Sequence, residues 1–520
     1  MKNLLIIISF LISTGNLWAH TVSGIVYEDS NKNGKRDRNE RKLENIAVSN
    51  GQDVVLTDKE GKYSFPIGNN GIVFVIKPLN YSFHLNEDNL PQFYYLHRPG
   101  GSPSDMQYKG IEPTGPLPES VDFGLIPFTE NREFKVLLFG DPQVYNNQQI
   151  DYFSKAIISE LEGIKGVSFG ITLGDLVDNT LNLHKGYAEA VSKVGLPWYN
   201  VMGNHDMNQD AQSDELSCET FRANFGPENY AFNYGNAHFI VLDNILFPDP
   251  RDQSGYWGGY RPDQLDFVEN NLKYVPKDKL IVIAQHIPLY NEGGDSFNLA
   301  DRQRLYNLLK DYPNILLLSA HTHYQKQYFH TEADGLQGEK TIHEYNIGTT
   351  CGDWYSGLIN ETGVPRSTMR DGTPKGYAFL HVNDNKFTLD YKVAGMPKEY
   401  RIEVFNTKVI SADKRNKAQL VANFFMGSEK DKVEYRIDRG EWRPMQYVLR
   451  EDPLFANLVF CWDNSDTLIK GKRPSNPVQS THIWSANISG TFSQGEHNIE
   501  VRATDMFGQV FFQQSKFNVE

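Results

Sequence analysis

Between about Asn131 and Ala394 the chain repeats one pattern: an apolar run of strand length, a short cluster of glycine and polar residues, then a stretch with helical spacing. The runs Phe134–Phe139, Val167–Leu173, Trp198–Met202, His238–Leu242, Leu280–Ala284 and Ile315–Ser319 predict strands buried on both faces. Helices are predicted over Gln148–Glu162, His184–Val194, Asp214–Asn224, Gln264–Leu272 and Arg302–Asp311. Strands alternating with helices build a layered α/β domain, whose ligand-binding loops lie at the carboxyl ends of its strands. The polar clusters fall at those ends: Gly140-Asp141-Pro142-Gln143, Gly174-Asp175-Leu176-Val177-Asp178, Gly203-Asn204-His205-Asp206, Gln285-His286 and Ala320-His321-Thr322-His323.

Singly, each cluster is weak, since a Gly-Asp after a strand is usually a turn and a His-x-His pair is often surface. Together they supply what a two-metal hydrolase needs: a short bridging anion, neutral nitrogen and oxygen ligands, and room for water and substrate. In this order they resemble the calcineurin-like metallophosphoesterases, whose pattern runs Asp-x-His, Gly-Asp-x-x-Asp, Gly-Asn-His-Asp/Glu, His and Gly-His-x-His. The resemblance covers the middle half of the chain and implies an α/β fold, a four-layer α/β sandwich core, here flanked by two mainly-β domains.

It also implies roles. Asp175 bridges two divalent or transition metal ions (Mn, Fe, Zn or Mg); Asp141 and His323, with Gln143, hold the first; Asn204, His286 and His321 hold the second. His205 contacts phosphate and protonates the leaving oxygen, Asp206 orients His205, and Asp178 is an outer hydrogen-bond acceptor. The chain departs from the pattern twice. Gln143 stands where the family has histidine, which gives the first site an amide oxygen or no ligand at that position, makes it harder and favours Mn, Fe or Mg over Zn. Ala320 replaces glycine, at a cost in backbone freedom only.

The flanks read differently. Residues 20–127 are strand-like, with glycine, asparagine and aspartate turns, and resemble the prealbumin-like sandwiches of bacterial adhesin B-repeats through Thr57-Asp58-Lys59-Glu60-Gly61-Lys62-Tyr63. Within them Asp29, Asn31, Asn33, Gly34, Asp37 and Glu40 follow the spacing of a calcium loop, although Lys32, Lys35 and Arg36 oppose a cation and no helices flank it. Residues 131–395 form the catalytic region. From 396 to 520 short strands return, ending in a run that resembles an immunoglobulin-like sandwich. The glycine-rich aromatic loops around Tyr256 and Trp257, and around Trp354 and Tyr355, are candidates to stack a sugar ring, a base or a lipid head group. His184, His238, His330 and His343 have no motif context and are expected to be structural. Cys218, Cys351 and Cys461 are too few and too scattered for a disulfide scaffold.

Residues 1–19 read as a signal peptide: Lys2, an apolar run from Leu4 to Ile12, and a cleavage site after Ala19. A periplasmic or secreted protein follows, with no transmembrane segment. A net charge of -14 argues against a nucleic-acid binding surface. The reading is an exported metal-dependent phosphoesterase, whose substrate is a small phosphate ester such as a nucleotide, a sugar phosphate, or a lipid or glycan head group. The alternative is a binding protein that uses its β-sandwiches for recognition on a phosphoesterase scaffold.

Overall fold

The computed structural model describes residues 20–290, 294–411 and 418–520; the leader-like residues 1–19 lie outside the described residues. Two sheets face each other in the middle of the chain. One has the order Trp198–Val201, Phe169–Leu173, Glu133–Phe139, Gly376–Asn383, Lys386–Val393. The other runs Tyr230–Tyr234, Ala237–Val241, Leu280–Ala284, Asn314–Ser319, Ile342–Asn346, Lys326–His330. The six strands read from the sequence are all present, and they pair in parallel within each sheet, as strands buried on both faces do.

Aromatic side chains fill the space between the sheets. Phe169 of the first sheet packs against Phe232 and Phe239 of the second, with ring centroids 5.5 and 5.4 Å away. Helices cover the outer faces and complete the four layers. Phe153, on the helix Asn147–Ala156, meets Phe139 at 5.8 Å. The expected helix Asp214–Asn224 breaks at Cys218 into Asp214–Ser217 and Glu219–Phe225.

Before this core the chain forms two four-stranded sheets. One has the order Lys62–Ile67, His20–Glu28, Phe123–Pro127, Tyr81–Ser82; the other, Val54–Leu56, Ala47–Ser49, Gly71–Val75, Tyr94–His97. After it come a four-stranded sheet built on Ala418–Phe424 and Ser480–Ile488 and a five-stranded sheet built on Gly495–Thr504 and Val510–Val519. A helix, Pro453–Asp463, interrupts this last region. It is apolar almost throughout, yet only Phe455 and Val459 are buried, so it lacks the amphipathic period that marks a helix in a sequence. Among the described residues no helix is long and apolar enough to cross a membrane.

The first β region is fastened to the core by buried charge pairs. Lys77 meets Glu130, and Arg98 Nε donates to Glu219 Oε2 at 3.0 Å, all four side chains being at most 5% exposed. Breaking such a pair strands a desolvated charge, so these contacts fix a unique geometry more than they add stability. Cys218 and Cys351 are buried free thiols, and Cys461 is an exposed one.

Candidate metal centre

The site residues hang from turns that leave the strand ends abruptly. Asp141, Gln143, Asp175, His321 and His323 have φ of 33°, 40°, 49°, 72° and 55°. This left-handed backbone costs a non-glycine residue about 1–3 kcal/mol and persists only where the surroundings over-determine it. Two motif glycines serve the same crowding. A Cβ on Gly203 would collide with the amide and carboxylate of Asp175, and one on Gly174 with the His286 imidazole. Ala320 keeps an ordinary φ while His321 takes the left-handed step, so glycine is not required at 320.

These turns converge on one point. Asp175, His286 and His321 each present a ligand atom within 4.8 Å of the others. His286 Nε2 lies 3.3 Å from Asp175 Oδ2, 3.1 Å from Asn204 Oδ1 and 3.2 Å from His321 Nδ1. Its Nδ1 donates to Leu173 O at 2.8 Å, which fixes the ring and aims Nε2 inward, where burial opposes a proton but Asp175 holds one by raising the pKa to about 9. His323 Nδ1 likewise donates to Gly352 O at 3.0 Å. Asp141 is fully buried and accepts the His321 amide at 3.2 Å. Gln143 Nε2 donates to Asp175 Oδ2 at 3.3 Å, and Gln143 Oε1 is buried with no partner.

Electrostatics suit a cation. Burial, reinforced by Asp175, pushes Asp141 well above the carboxylate range. Asp175 is buried too, but His286 and His205 hold it below its ordinary value. Burial pushes His321 down to about 3 and His323 down to about 4, which leaves both imidazoles neutral with lone pairs to give. Two buried carboxylates, three imidazoles and an orphaned amide oxygen are a donor set that fits divalent metal ions of intermediate hardness.

Asp178, expected as an outer acceptor, is the acidic neighbour of the His205 imidazole. Asp178 Oδ1 lies 3.0 Å from His205 Nδ1, while the His205 amide donates to Asp175 Oδ1 at 2.9 Å. Burial opposes the charge on His205, yet Asp175 and then Asp178 raise it to about 9. Asp206, expected to orient His205, instead accepts the amides of Leu176 (3.1 Å), Val177 (3.2 Å) and Gly203 (2.9 Å), with His184 Nε2 at 3.1 Å. It clamps two ligand loops together, and His184 is its structural partner. The curvature of the Gly203–Asp206 turn sends successive side chains opposite ways, which spacing does not reveal.

Other expectations sort as follows. Trp354 stacks on His323 at 4.0 Å and so walls the site. Tyr355 is corrected as a substrate contact: it is buried, and its hydroxyl donates to Pro142 O at 2.7 Å, bracing the Asp141-Pro142-Gln143 turn. Tyr256 stands edge-on to His321 at 6.3 Å, and Trp257 lines the adjacent cavity. His238, His330 and His343 are buried among partners within the fold. In the candidate calcium loop Asp29 accepts the Asn33 and Gly34 amides at 3.2 and 2.8 Å; Asn31 and Asn33 donate to Asp37 Oδ2, and Glu40 accepts the Asp37 amide.

One brace has no sequence motif. Arg370 Nη2 donates to Thr322 O at 3.2 Å, and Asp371 Oδ2 accepts the Gln325 amide at 2.8 Å, so the His321–His323 turn is gripped at its middle and just beyond its end. Asp371 is then held by His482 Nε2 at 3.0 Å, whose Nδ1 lies 2.7 Å from Asn423 Oδ1. Both partners come from the strands Ser480–Ile488 and Ala418–Phe424 of the last β region.

Comparison with known proteins agrees with this geometry. Residues 134–325 match the model for the calcineurin-like phosphoesterase, residues 30–112 its N-terminal model and residues 344–511 its C-terminal model. The chain belongs to the calcineurin-like phosphoesterases. The C-terminal match includes Arg370, Asp371 and His482, and the catalytic match includes Thr322 and Gln325, so the brace joins two of the matched units. A curated relative, "Probable glycerophosphodiester phosphodiesterase GpdQ" of Arcobacter nitrofigilis, is 29% identical over 163 residues, covering 29% of this chain and 55% of that protein. The chain thus spans about half the length of the relative it matches. Among solved structures, the purple acid phosphatase PPD1 of yellow lupin (Lupinus luteus) is 13% identical with a TM-score of 0.36, over 72% of this chain and 66% of that one. GAP50 of Plasmodium is 16% identical with a TM-score of 0.31, over 50% and 84%. These structural likenesses are too partial to carry a function across.

The brace yields an expected outcome. His482→Ala weakens divalent-metal binding about tenfold in calorimetric titration, with the far-UV circular dichroism unchanged. Unaltered metal affinity would show that the brace does not position the ligand turn.

Proposed function

We propose that the protein is an exported metal-dependent phosphoesterase that hydrolyses a phosphomonoester or phosphodiester. The observation that carries this reading is the convergence of Asp175, His286 and His321 within 4.8 Å, at the carboxyl ends of parallel strands. Asp175, Asp141, His323 and Gln143 would hold one metal ion, and Asp175, Asn204, His286 and His321 the other. When bound, such ions lower the pKa of water and neutralise charge growing on phosphoryl oxygens.

The chain's own residues do the rest. Water replaces the alcohol oxygen on phosphorus; the phosphorus–oxygen bond to the alcohol breaks, and the alcohol leaves with a proton. His205 is the group placed to supply that proton, because Asp178 occupies its Nδ1 and leaves Nε2 for the departing oxygen. Asp206 keeps the Gly203–Asp206 turn against the Asp175 turn, so that His205 and the metal ligands hold one geometry. Trp354 closes the His323 side against water.

Asp175→Asn removes the bridging carboxylate. In the presence of Mn it is expected to lower hydrolysis of p-nitrophenyl phosphate and bis-p-nitrophenyl phosphate by at least about a hundredfold. The relative's name makes phosphodiesters the class to test first. Activity retained in this variant, or absent from the metal-loaded parent on both esters, overturns the reading.

Export rests on the composition of residues 1–19. Mass spectrometry of the chain recovered from the periplasm or medium is expected to find His20 at the amino terminus; intact chain retained in the cytosol contradicts it.

The loop from Asp29 to Glu40 is proposed to take structural calcium. Its support is the ligand spacing together with a curled loop, in which buried Asp29 accepts the amides of Asn33 and Gly34 and Asn31 and Asn33 both reach Asp37. Calcium is expected to raise the first thermal midpoint of the full chain relative to chelator, and an unchanged midpoint rules the site out.

A further inference from the structure

Beside the metal centre a cavity of about 330 Å³ opens, and His321 belongs to both. Its remaining wall includes Arg251, Tyr256, Trp257, Tyr290 and Asp295. The size is at the lower end for a small-molecule site, enough for one or two rings. Tyr256 stands between the two spaces: its ring is edge-on to His321, and it is 37% exposed, so one face remains open to whatever enters.

The charges in this wall are already matched. Arg251 is the one permanently charged cation among the described lining residues. Its guanidinium stacks on Trp257 at 3.9 Å. It donates to Asp249 at 2.9 and 2.6 Å and to Asp295 at 2.5 Å. Trp257 Nε1 donates to Asp295 O at 2.7 Å, which fixes the indole. Lys326, 4.2 Å from the Tyr290 ring, is engaged behind that ring. A cation whose charge two carboxylates neutralise offers little to a second phosphate, and Asp295, 70% exposed, would repel one. Rigid aromatic faces and hydrogen-bonding rims suit an uncharged ring instead.

We propose that this cavity receives the leaving group of the ester and selects an uncharged cyclic alcohol, a sugar or nucleoside, by stacking on Tyr256 and Trp257. The proposal rests on the phosphoesterase reading and narrows its substrate class. Short acyclic alcohols such as glycerol reach the metal centre but leave the aromatic wall unused. Bisphosphates are rejected by the paired charges of Arg251 and Asp295.

The test compares kcat/KM of the metal-loaded protein for adenosine 5′-phosphate, glucose 6-phosphate, glycerol 3-phosphate and fructose 1,6-bisphosphate, each of the first three also as its methyl diester. The ring esters are expected to exceed the glycerol ester by about tenfold, the worth of one stacked ring. Tyr256→Ala removes that advantage by lowering the ring esters more than the glycerol ester, whereas Tyr256→Phe keeps it. Equal rates for ring and acyclic esters in the parent, or an equal fold-loss of both in Tyr256→Ala, overturn the proposal. A second measurement separates it from the reading it rests on: adenosine or glucose is expected to perturb tryptophan fluorescence in Asp175→Asn, and Trp257→Phe is expected to abolish the response. That response without hydrolysis by the parent keeps the ring site and discards the esterase; hydrolysis without it, and without ring preference, does the opposite.

Discussion

The structure depends on holding strained turns against a crowd of buried charge. Five site residues sit at positive φ, and two buried carboxylates are crowded together with three imidazoles. Neither condition stabilises a fold, and both must be offset elsewhere. The offset comes from strands buried on both faces, packed through Phe134, Phe169, Phe232 and Phe239, whose loss of water supplies the driving force. Asp206 then spends its hydrogen-bonding capacity on three backbone amides, so the two most crowded turns cannot relax apart.

The flanking β regions belong to the same problem. A recognition module on a tether would need only a small polar contact with the core. Here Lys77–Glu130 and Arg98–Glu219 are desolvated pairs, and the Lys77 carbonyl accepts the Asn233 amide at 3.0 Å on the edge strand of the second sheet. On the other side His482 and Asn423 reach through Asp371 to the amide two residues beyond His323. Asp353 adds a second link, accepting the Ser475 amide at 2.6 Å next to the tryptophan that stacks on His323. The last β region therefore bears on the ligand turns directly, which speaks against sandwiches that act independently of the centre.

What the sequence made legible was what local pattern encodes. Each apolar run predicted its strand because burial on both faces leaves an unbroken signature, and each ligand cluster was visible because it follows such a run. The strands Gly376–Asn383 and Lys386–Val393 escaped because Tyr377, His381 and Lys392 blur their alternation. Asp206 was expected to orient His205, but Asp178 stands beside that imidazole instead, since a neighbour in sequence need not be a neighbour in space. Asp371, Arg370 and His482 escaped for a different reason. Their partners are more than forty positions away, and a buried carboxylate reads like any loop aspartate until the facing strand is known.

Gln143 shows how the departure from the family pattern works within this geometry. An imidazole offers a single inward nitrogen once its other nitrogen is anchored, as His286 and His323 do through Leu173 and Gly352. An amide at the end of a left-handed turn can do two things at once. Its Nε2 donates to Asp175 Oδ2, steadying the carboxylate assigned to bridge, while Oε1 remains buried and unpaired. A buried acceptor without a partner costs about 1–3 kcal/mol, a cost removed when an oxygen-seeking cation arrives. On the proposed function, the substitution would tie metal binding to the orientation of Asp175 through one side chain. An anchored histidine could not make both contacts, which is a physical reason for the Asp-Pro-Gln form to be compatible with a metal at the first site.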